Sequence, residues 1–532
     1  MLRAVSILLR QARVAVTAIA LACIPILTAT PLRAQTAPSL PAPAQSPAAA
    51  AATPTPAPKP APNPFSFRGY VRAYDFTRLN AIRGVSAVNQ QSIEPGISLH
   101  GDYRFGTSPI SVGASYLYAS PLNGCTDPAS HVRPPCGGFK APTASLNPDD
   151  TLPGYELNTL YEAYVQYKDP RLYVKLGDQV INTPWANASD SRIKPVAFEG
   201  GDLVFTAPHG VTAEIMDMVR FESRTNSAFD DKTLLTSVNN LGSNPGLPGY
   251  RYFPGGNGAS SAGFQYARLG VAGKQGLASN LHYYHFSDIA NLAWLDAKYT
   301  VQNQKMKPFA AFQAGRETST GAALVGKVDS FIVGGQLGAS VTKSITVSLG
   351  YNFIPEKTET VVTPPGATCS AAHVAGARAG FSLPYFIGSN APSCIVNANG
   401  TTTYLYGGIA TPYTDSYATD PLFTTSISQG MADRRAPGNG VKMALGYTSP
   451  DKRWIFTTSR AYYDYGTQLL GQQQTSEFDA DLQYYANKPR PSGPYKGLLL
   501  RYRYADREMA NTARYGGAPY FKYNRAQLEY DF

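Results

Sequence analysis

The side chains best suited to chemistry in this chain are arginines that alternate with apolar residues. In KGLLLRYRY, residues 496–504, Arg501 and Arg503 share one parity. The other parity holds Leu498, Leu500, Tyr502 and Tyr504. An extended strand turns the two parities to opposite faces. Because a guanidinium binds a carboxylate through a planar fork, this pattern suits a wall that meets lipid on one side and small anions on the other.

Further basic residues lie in strand-like segments elsewhere in the chain and are predicted to face the same way. They are Arg72, with Arg68 on its parity, Arg220, Lys442 and Arg525. Together with Arg501 and Arg503 they form a candidate luminal basic ladder, along which a carboxylate would pass from one cation to the next. The plainer interpretation is that such charges mainly solvate a water-filled lumen.

The first 34 residues indicate export from the cytoplasm. Arg3, Arg10 and Arg13 precede the apolar run VAVTAIALACIPILTAT, and Ala34 offers a cleavage point. This order is typical of a secretory signal peptide. A lipoprotein signal at Cys23 fits less well because the apolar run continues past the cysteine, and an uncleaved anchor is a further alternative. No later stretch holds 18 apolar residues, which leaves a soluble exported protein or an outer-membrane β-barrel.

The charge and composition of the mature chain are mild. Removal of residues 1–34 lowers 46 Lys plus Arg to 42, against 36 Asp plus Glu, for a net charge of +6. No basic run suggests nucleic acid binding. Residues 35–64 consist largely of Pro and Ala, which predicts a disordered periplasmic arm with no core of its own.

Beyond this arm, eight short polar turns divide the chain into strand-like segments. They are FGTSP (105–109), KDPR (168–171), APHG (207–210), AGKQG (272–276), QNQK (302–305), VTKS (341–344), SPDK (449–452) and NKPRPSGP (487–494). Eight hairpins give sixteen strands, and single strands at about 67–78 and about 520–532 complete eighteen. Nine long connections would then lie at the other end, the longest at about 120–155, 222–262 and 355–440.

Short turns at one end and long loops at the other are typical of a transmembrane barrel. We therefore expect an all-β fold for residues 65–532, an 18-stranded antiparallel barrel with short periplasmic turns and long extracellular loops. A soluble β-sandwich with one wet face would explain the alternation, but not the strand number, the loop asymmetry and the export signal together. Closure pairs the first strand with the last, so Arg525, Arg501 and Arg503 would lie near Arg72.

Four cysteines remain after signal cleavage. Cys125 and Cys136 flank one Pro- and Gly-rich segment, and Cys369 and Cys394 lie within another. In an oxidising compartment this spacing predicts two local disulfides, each within one loop. The cysteines form no CxxC pair, and no histidine lies at ligand spacing, so a metal site is not expected.

Enzyme motifs are missing from the sequence. It contains no HExxH and no GxSxG, and the near phosphate loop GAALVGKV (321–328) has Val328 where a metal-binding Ser or Thr is needed. A membrane hydrolase with a Ser/His/acid site stays open as an alternative, although no motif marks one. We expect a protein that is not an enzyme and needs no cofactor.

One segment resembles a known protein family at individual positions, and not only in its alternation of polar and apolar residues. The run LGDQVINTPWANASDSRIKPVAFEGGDLVF, residues 176–205, resembles the OprD family of outer-membrane porins, the carboxylate channels of pseudomonads. The matching positions are Asp190, Arg192, Pro195, Phe198, Glu199 and Gly200. In that family the run belongs to the third outer loop, which folds inward and narrows the pore. FRGYVRAYDFTR, MADRRAPGNG and LLLRYRY also look like family counterparts, whereas the Pro/Ala arm and the cysteine-bearing loops are not typical of it.

The resemblance implies an 18-stranded barrel, constriction-loop residues Asp190, Arg192, Lys194 and Glu199, and a luminal basic ladder that favours carboxylates. We therefore expect an outer-membrane porin for passive diffusion of organic acids, aromatic acids or amino acids. A structural or adhesive barrel with a loop-plugged lumen is the main rival. Expected partners are outer-membrane lipid and lipopolysaccharide, small carboxylate solutes, and the barrel-assembly machinery through the terminal Phe532; a monomer is favoured over a trimer.

Overall fold

The structure is a computed structural model. It describes residues 63–83, 86–122, 156–188, 192–224, 226–235, 259–273, 276–302, 304–325, 328–362, 394–414, 419–434, 437–467, 471–489, 495–509 and 520–532. The chain divides into two units, Met1–Pro64 and Phe65–Phe532, and every element described below lies in the second.

Eighteen strands form one antiparallel sheet that closes on itself, because the first strand pairs with both the second and the last. The strands are β1 (Phe65–Arg83), β2 (Ser86–Arg104), β3 (Ile110–Ala119), β4 (Leu157–Lys168), β5 (Leu172–Gln179), β6 (Ala197–Thr206), β7 (Val211–Glu222), β8 (Phe264–Ala272), β9 (Leu277–Phe286), β10 (Ala290–Thr300), β11 (Lys307–Ser319), β12 (Asp329–Ser340), β13 (Ile345–Ile354), β17 (Gly438–Thr448), β18 (Trp454–Thr467), β19 (Gly471–Tyr485), β20 (Gly497–Met509) and β21 (Tyr520–Asp531). The predicted 18-stranded barrel is confirmed.

A smaller sheet lies within the connection between β13 and β17. Its three strands are β14 (Lys357–Val362), β15 (Cys394–Val396) and β16 (Thr401–Tyr406), in the order β14-β16-β15. Two short helices complete the described elements, a 3₁₀ turn at Pro208–Gly210 and an α-helical turn at Met431–Arg434. None of the helices in the described residues is long and apolar enough to cross a membrane.

The eight short turns lie between consecutive strands, as predicted from their polar residues. The prediction of nine long outer connections was wrong. Three of them, 84–85, 287–289 and 468–470, span at most three residues between strand ends. The flanking strands continue further than expected, and in each case the two strands pair with each other. At 287–289 the reversal uses Asp288, whose φ of 58° lies in the left-handed region that Asp tolerates.

The outer face of the barrel is apolar, as a lipid-facing wall requires. On β20 Leu500 and Tyr502 are 41% and 45% exposed, whereas Arg503, on the opposite parity, is 9% exposed. Aromatic residues lie near the turn ends of several strands, among them Phe67, Tyr103, Phe205, Tyr299, Tyr447 and Trp454. Their positions match the interfacial aromatic girdle of transmembrane barrels.

Part of the barrel interior is filled by segments that fold in from the connections. Trp185, from the connection between β5 and β6, and Tyr413, from the connection between β16 and β17, are buried with Phe198 of β6 and Trp294 of β10. The two tryptophan rings meet edge to face with 5.2 Å between centroids. The buried cluster to which they belong also includes residues of β7 to β9, β12, β13 and β18.

Candidate functional site

The connection between β5 and β6, residues 180–196, folds into the barrel and is termed the constriction loop here. Three consecutive residues tether it to the wall. The Tyr70 hydroxyl donates to the Ile193 carbonyl at 2.8 Å, and Arg72 Nη1 donates to the Arg192 carbonyl. Both donors lie on β1, so the first strand of the barrel holds the loop through its backbone.

Lys194 makes the third tether through its side chain. Its Nζ lies 3.0 Å from Oε1 of Glu222 on β7, and both side chains are 0% exposed. Thr159 also donates to Oε1 of Glu222, at 2.8 Å. Burial lowers the pKa of Lys194, an effect that the neighbouring carboxylate opposes. The Lys194 ammonium therefore anchors the loop to the wall instead of lining an open passage.

The other predicted constriction-loop residues lie in different places. Arg192 is in the loop, 2% exposed, with its guanidinium carbon 4.8 Å from the centroid of the Phe76 ring. Glu199 is not in the loop but in β6, which corrects its assignment. Asp190 lies outside the described residues.

Four of the predicted ladder residues come together where the barrel closes. Arg503 of β20 lies directly opposite Arg525 of β21, and Arg501 lies opposite Gln527. On the other side of β21, Arg72 of β1 is opposite Glu529. Arg501, Arg503, Arg525 and Arg72 thus form a basic strip across three neighbouring strands, all on the parity that faces the lumen.

Acidic side chains on the same wall bind most of this strip. Asp481 of β19 accepts from Arg501 through Nε at 2.9 Å and Nη2 at 2.5 Å, and from Nε of Arg503 at 2.8 Å. Arg72 donates to Glu529 at 2.5 Å, and Gln527 donates to the same carboxylate at 2.6 Å. The strip is therefore a chain of alternating charges and not a row of bare cations.

Aromatic rings are interleaved with these charges. The guanidinium of Arg72 lies 4.1 Å from the centroid of Tyr70, and that of Arg525 lies 5.2 Å from the centroid of Tyr74. Cations over ring faces are stabilised by the ring quadrupole. The rings also fix where each guanidinium lies on the wall.

Arg220 does not belong to the strip, contrary to prediction. The register between β6 and β7 shifts between Glu199 and Gly200, which leaves one extra residue in β7 and turns Arg220 to the outer face. There its side chain is 51% exposed and pairs with Glu199 at 2.5 Å. The alternation of side chains along the sequence does not reveal such a bulge.

Lys442 faces the lumen on β17, and two strands, β18 and β19, separate it from the strip on β20. Its Nζ donates to the carbonyl of Thr425. Thr425 belongs to the segment 419–434, which folds into the barrel and contacts the wall through β17 to β20. Lys442 therefore holds a second inward segment, much as β1 holds the constriction loop.

Two residues of this wall were missed at the sequence level. Arg507 of β20 continues the parity of Arg501 and Arg503; it donates to the Ser428 carbonyl at 3.2 Å and lies 4.3 Å from the Phe521 centroid. Extending the alternation by four residues would have found it. Asp481 lies within FDADLQYY. Its parity there predicts that the side chain points into the lumen, but it does not predict the bonds to Arg501 and Arg503.

The predicted disulfides are not described by the structure. Cys125, Cys136 and Cys369 lie outside the described residues, as does the side chain of Cys394 at the start of β15. Among the residues that are described, no group of three or more His, Cys, Asp or Glu could hold a metal ion.

Comparison with known proteins relates part of the chain to a known family. The family model described as outer membrane porin, OprD family, matches residues 164–360, which include the constriction loop and its flanking strands. Over these residues the chain is similar to the OprD family of outer-membrane porins. The family match and the barrel fold together imply a location in the outer membrane, and porins of this family and fold are channels rather than enzymes. Comparison with curated protein sequences gave no match.

Solved porins of Pseudomonas aeruginosa share the fold. OccK8 (OprE) superposes with a TM-score of 0.60 at 15% identity, over 88% of this chain and 98% of OccK8. OpdK, crystallised with vanillate, gives 0.57 at 15% identity, and OccK2 (OpdF), in complex with glucuronate, gives 0.56 at 14% identity. Both alignments cover 88% of this chain and 98% of the neighbour. Sequence identity at this level supports the shared fold alone.

Proposed function

We propose that this OprD-family porin passes small carboxylate-bearing nutrients by passive diffusion, with partial selectivity set beside the constriction loop. The candidate substrates are organic acids, aromatic acids and amino acids. The observation that carries the proposal is the basic strip of Arg501, Arg503, Arg525 and Arg72 on adjacent strands at the barrel closure. Guanidinium groups replace the water around a carboxylate through charge-assisted hydrogen bonds.

Ligands of the structural neighbours support this substrate class. OpdK was crystallised with vanillate and OccK2 with glucuronate. Both ligands are carboxylates, one aromatic and one a sugar acid. Either chemistry would suit a strip in which guanidinium groups lie next to the rings of Tyr70 and Tyr74.

The experiment that tests the proposal is single-channel recording of the folded porin in a planar bilayer. Carboxylates and matched neutral compounds, such as benzoate and benzamide, are added in turn. We expect current steps that benzoate interrupts and benzamide does not. In the double variant Arg501→Ala/Arg503→Ala, the reversal potential in a KCl gradient should shift to a value that indicates a lower preference for anions.

A matched control is Arg220→Ala, which removes one cation from the outer face of the same barrel. It should leave the reversal potential unchanged. Conducting channels that benzoate and benzamide affect equally would reject carboxylate selectivity. An unchanged reversal potential in the Arg501→Ala/Arg503→Ala variant would reject the role of the strip.

A structural or adhesive barrel with a plugged lumen is the second candidate. Close packing of the lumen favours it: Arg525 is 1% exposed and Arg503 is 9% exposed. Folded protein that inserts into the bilayer without any conductance steps would support this candidate over the porin.

We further propose that the protein is exported with a signal peptide that is removed after residue 34, and that residues 35–64 form a periplasmic arm. Its terminal Phe532 is recognised by the barrel-assembly machinery, and its outer face meets lipid and lipopolysaccharide. A monomer suffices for conduction because each barrel would carry its own strip.

A further inference from the structure

The two arginines at the centre of the basic strip share one carboxylate. Asp481 takes the Nε and Nη2 edge of Arg501, at 2.9 and 2.5 Å, and Nε of Arg503, at 2.8 Å. Its side chain is 14% exposed, and those of Arg501 and Arg503 are 19% and 11% exposed. These are short charge-assisted bonds in a largely dehydrated place, where such bonds are strong.

Neighbouring acids on β19 have different donors. Asp479 accepts from the Ser459 hydroxyl at 2.8 Å and from the backbone N–H of Ile427 at 3.4 Å. Glu477 accepts from the backbone N–H and hydroxyl of Ser428, both at 2.7 Å. Both acids therefore help to hold the inward segment 419–434. Asp481 differs because it lies directly across from Arg503 and binds the arginines themselves.

A carboxylate side chain in this position has the same chemistry as the proposed solute. Two guanidinium groups alone would present two positive charges to a passing anion, whereas the triad with Asp481 presents one. A channel conducts only where binding is weak enough to permit release. The internal carboxylate offsets part of the attraction and offers the arginines a partner as soon as the solute leaves.

We propose that Asp481 is a specificity-determining residue that competes with the transported carboxylate for Arg501 and Arg503, and so limits how long the solute is held. This inference rests on the proposed function and deepens it. The solute approaches the arginines while Asp481 keeps part of its contacts, and Asp481 recovers them on release. A monocarboxylate should therefore bind to the arginines and leave them rapidly, because the Asp481 carboxylate carries the same charge.

The test replaces Asp481 by asparagine, which keeps the size of the side chain and removes its charge. Single-channel recordings measure the duration of benzoate blocks and the reversal potential in a KCl gradient. We expect benzoate blocks about tenfold longer in Asp481→Asn, as the loss of a charged competitor implies, and a reversal potential shifted toward anions. Asp479→Asn removes the same charge two residues away and should change the block duration less than about twofold.

A third variant separates competition from a general change in luminal charge. In the Arg501→Gln/Arg503→Gln background, Asp481→Asn should have little effect on block duration, because the arginines for which it competes are gone. Folding of each variant is checked by the heat-dependent shift of the barrel on a detergent gel.

Unchanged block duration and reversal potential in Asp481→Asn would overturn the inference, and so would an equal effect of Asp479→Asn. A wild-type channel that benzoate does not block would overturn the proposed function instead. In that case the reversal potential of Asp481→Asn in KCl still decides whether this carboxylate controls the arginines.

Discussion

The buried ion pair between Lys194 and Glu222 gives the sharpest prediction about the constriction loop. Both side chains are 0% exposed with 3.0 Å between Nζ and Oε1. Lys194→Met keeps most of the side-chain volume but leaves a buried carboxylate without its cation. Removal of one partner from a buried pair costs about 3–5 kcal/mol. A loss of about 3 kcal/mol raises the population of undocked loop by roughly a hundredfold.

The assay is urea unfolding of the barrel in lipid vesicles, followed by tryptophan fluorescence. Trp185 in the constriction loop lies 5.2 Å from Trp294 on the wall, so undocking of the loop should change the emission before the barrel unfolds. We expect Lys194→Met to move this early transition to lower urea while the later barrel transition stays in place.

Two further variants test the reasoning. Lys194→Met combined with Glu222→Gln removes both charges but keeps an oxygen for Thr159, so it should recover most of the lost stability. Lys232→Met removes a partly exposed loop lysine that pairs with the exposed Asp231, and should cost less than about 1 kcal/mol. A loss below about 1 kcal/mol in Lys194→Met, or no recovery in the double variant, would refute the view that this pair is buried and anchors the loop.

The remaining predictions concern the first and last strands. Tyr70→Phe removes the bond to the Ile193 carbonyl and should cost about 1 kcal/mol of loop docking, seen as more frequent current fluctuations in single-channel records. Removal of Phe532 deletes two backbone bonds to Gly69, at 3.0 and 3.2 Å, and should lower the yield of folded barrel in the outer membrane. Gly69→Ala would place a Cβ 2.4 Å from the Ser98 carbonyl and 2.7 Å from the Phe532 ring, so slower refolding into vesicles is expected.

Much of the barrel could be predicted because its signals are local. Alternating side chains and polar turns such as VTKS (341–344) report on the strands that contain them, and short turns leave little choice of partner. The tight reversal at Asp288 was missed because the residues around it lack the Asn-Gly or Gly-Gly pattern that marks such hairpins.

Site residues were less predictable because their roles depend on distant parts of the chain. Arg220 faces outward because of one bulge, and the residues around Arg220 in the sequence do not indicate that bulge. Lys194 lies in the connection between β5 and β6, but its buried partner Glu222 comes from β7, which the sequence around Lys194 does not indicate. For Asp481, parity gives only the direction of the side chain, whereas its two arginines come from the next strand and depend on register.

The barrel seam carries a consequence for biosynthesis. The strand that seals the cylinder, β21, also supplies Arg525 and Glu529, and its partner β1 supplies Arg72. A chain that stops before β21 therefore lacks part of the basic strip and keeps two open sheet edges that must find other partners. A barrel truncated before β21 would therefore be a substrate for quality control and not a leaky pore, since closure of the sheet and completion of the basic strip depend on the same strand.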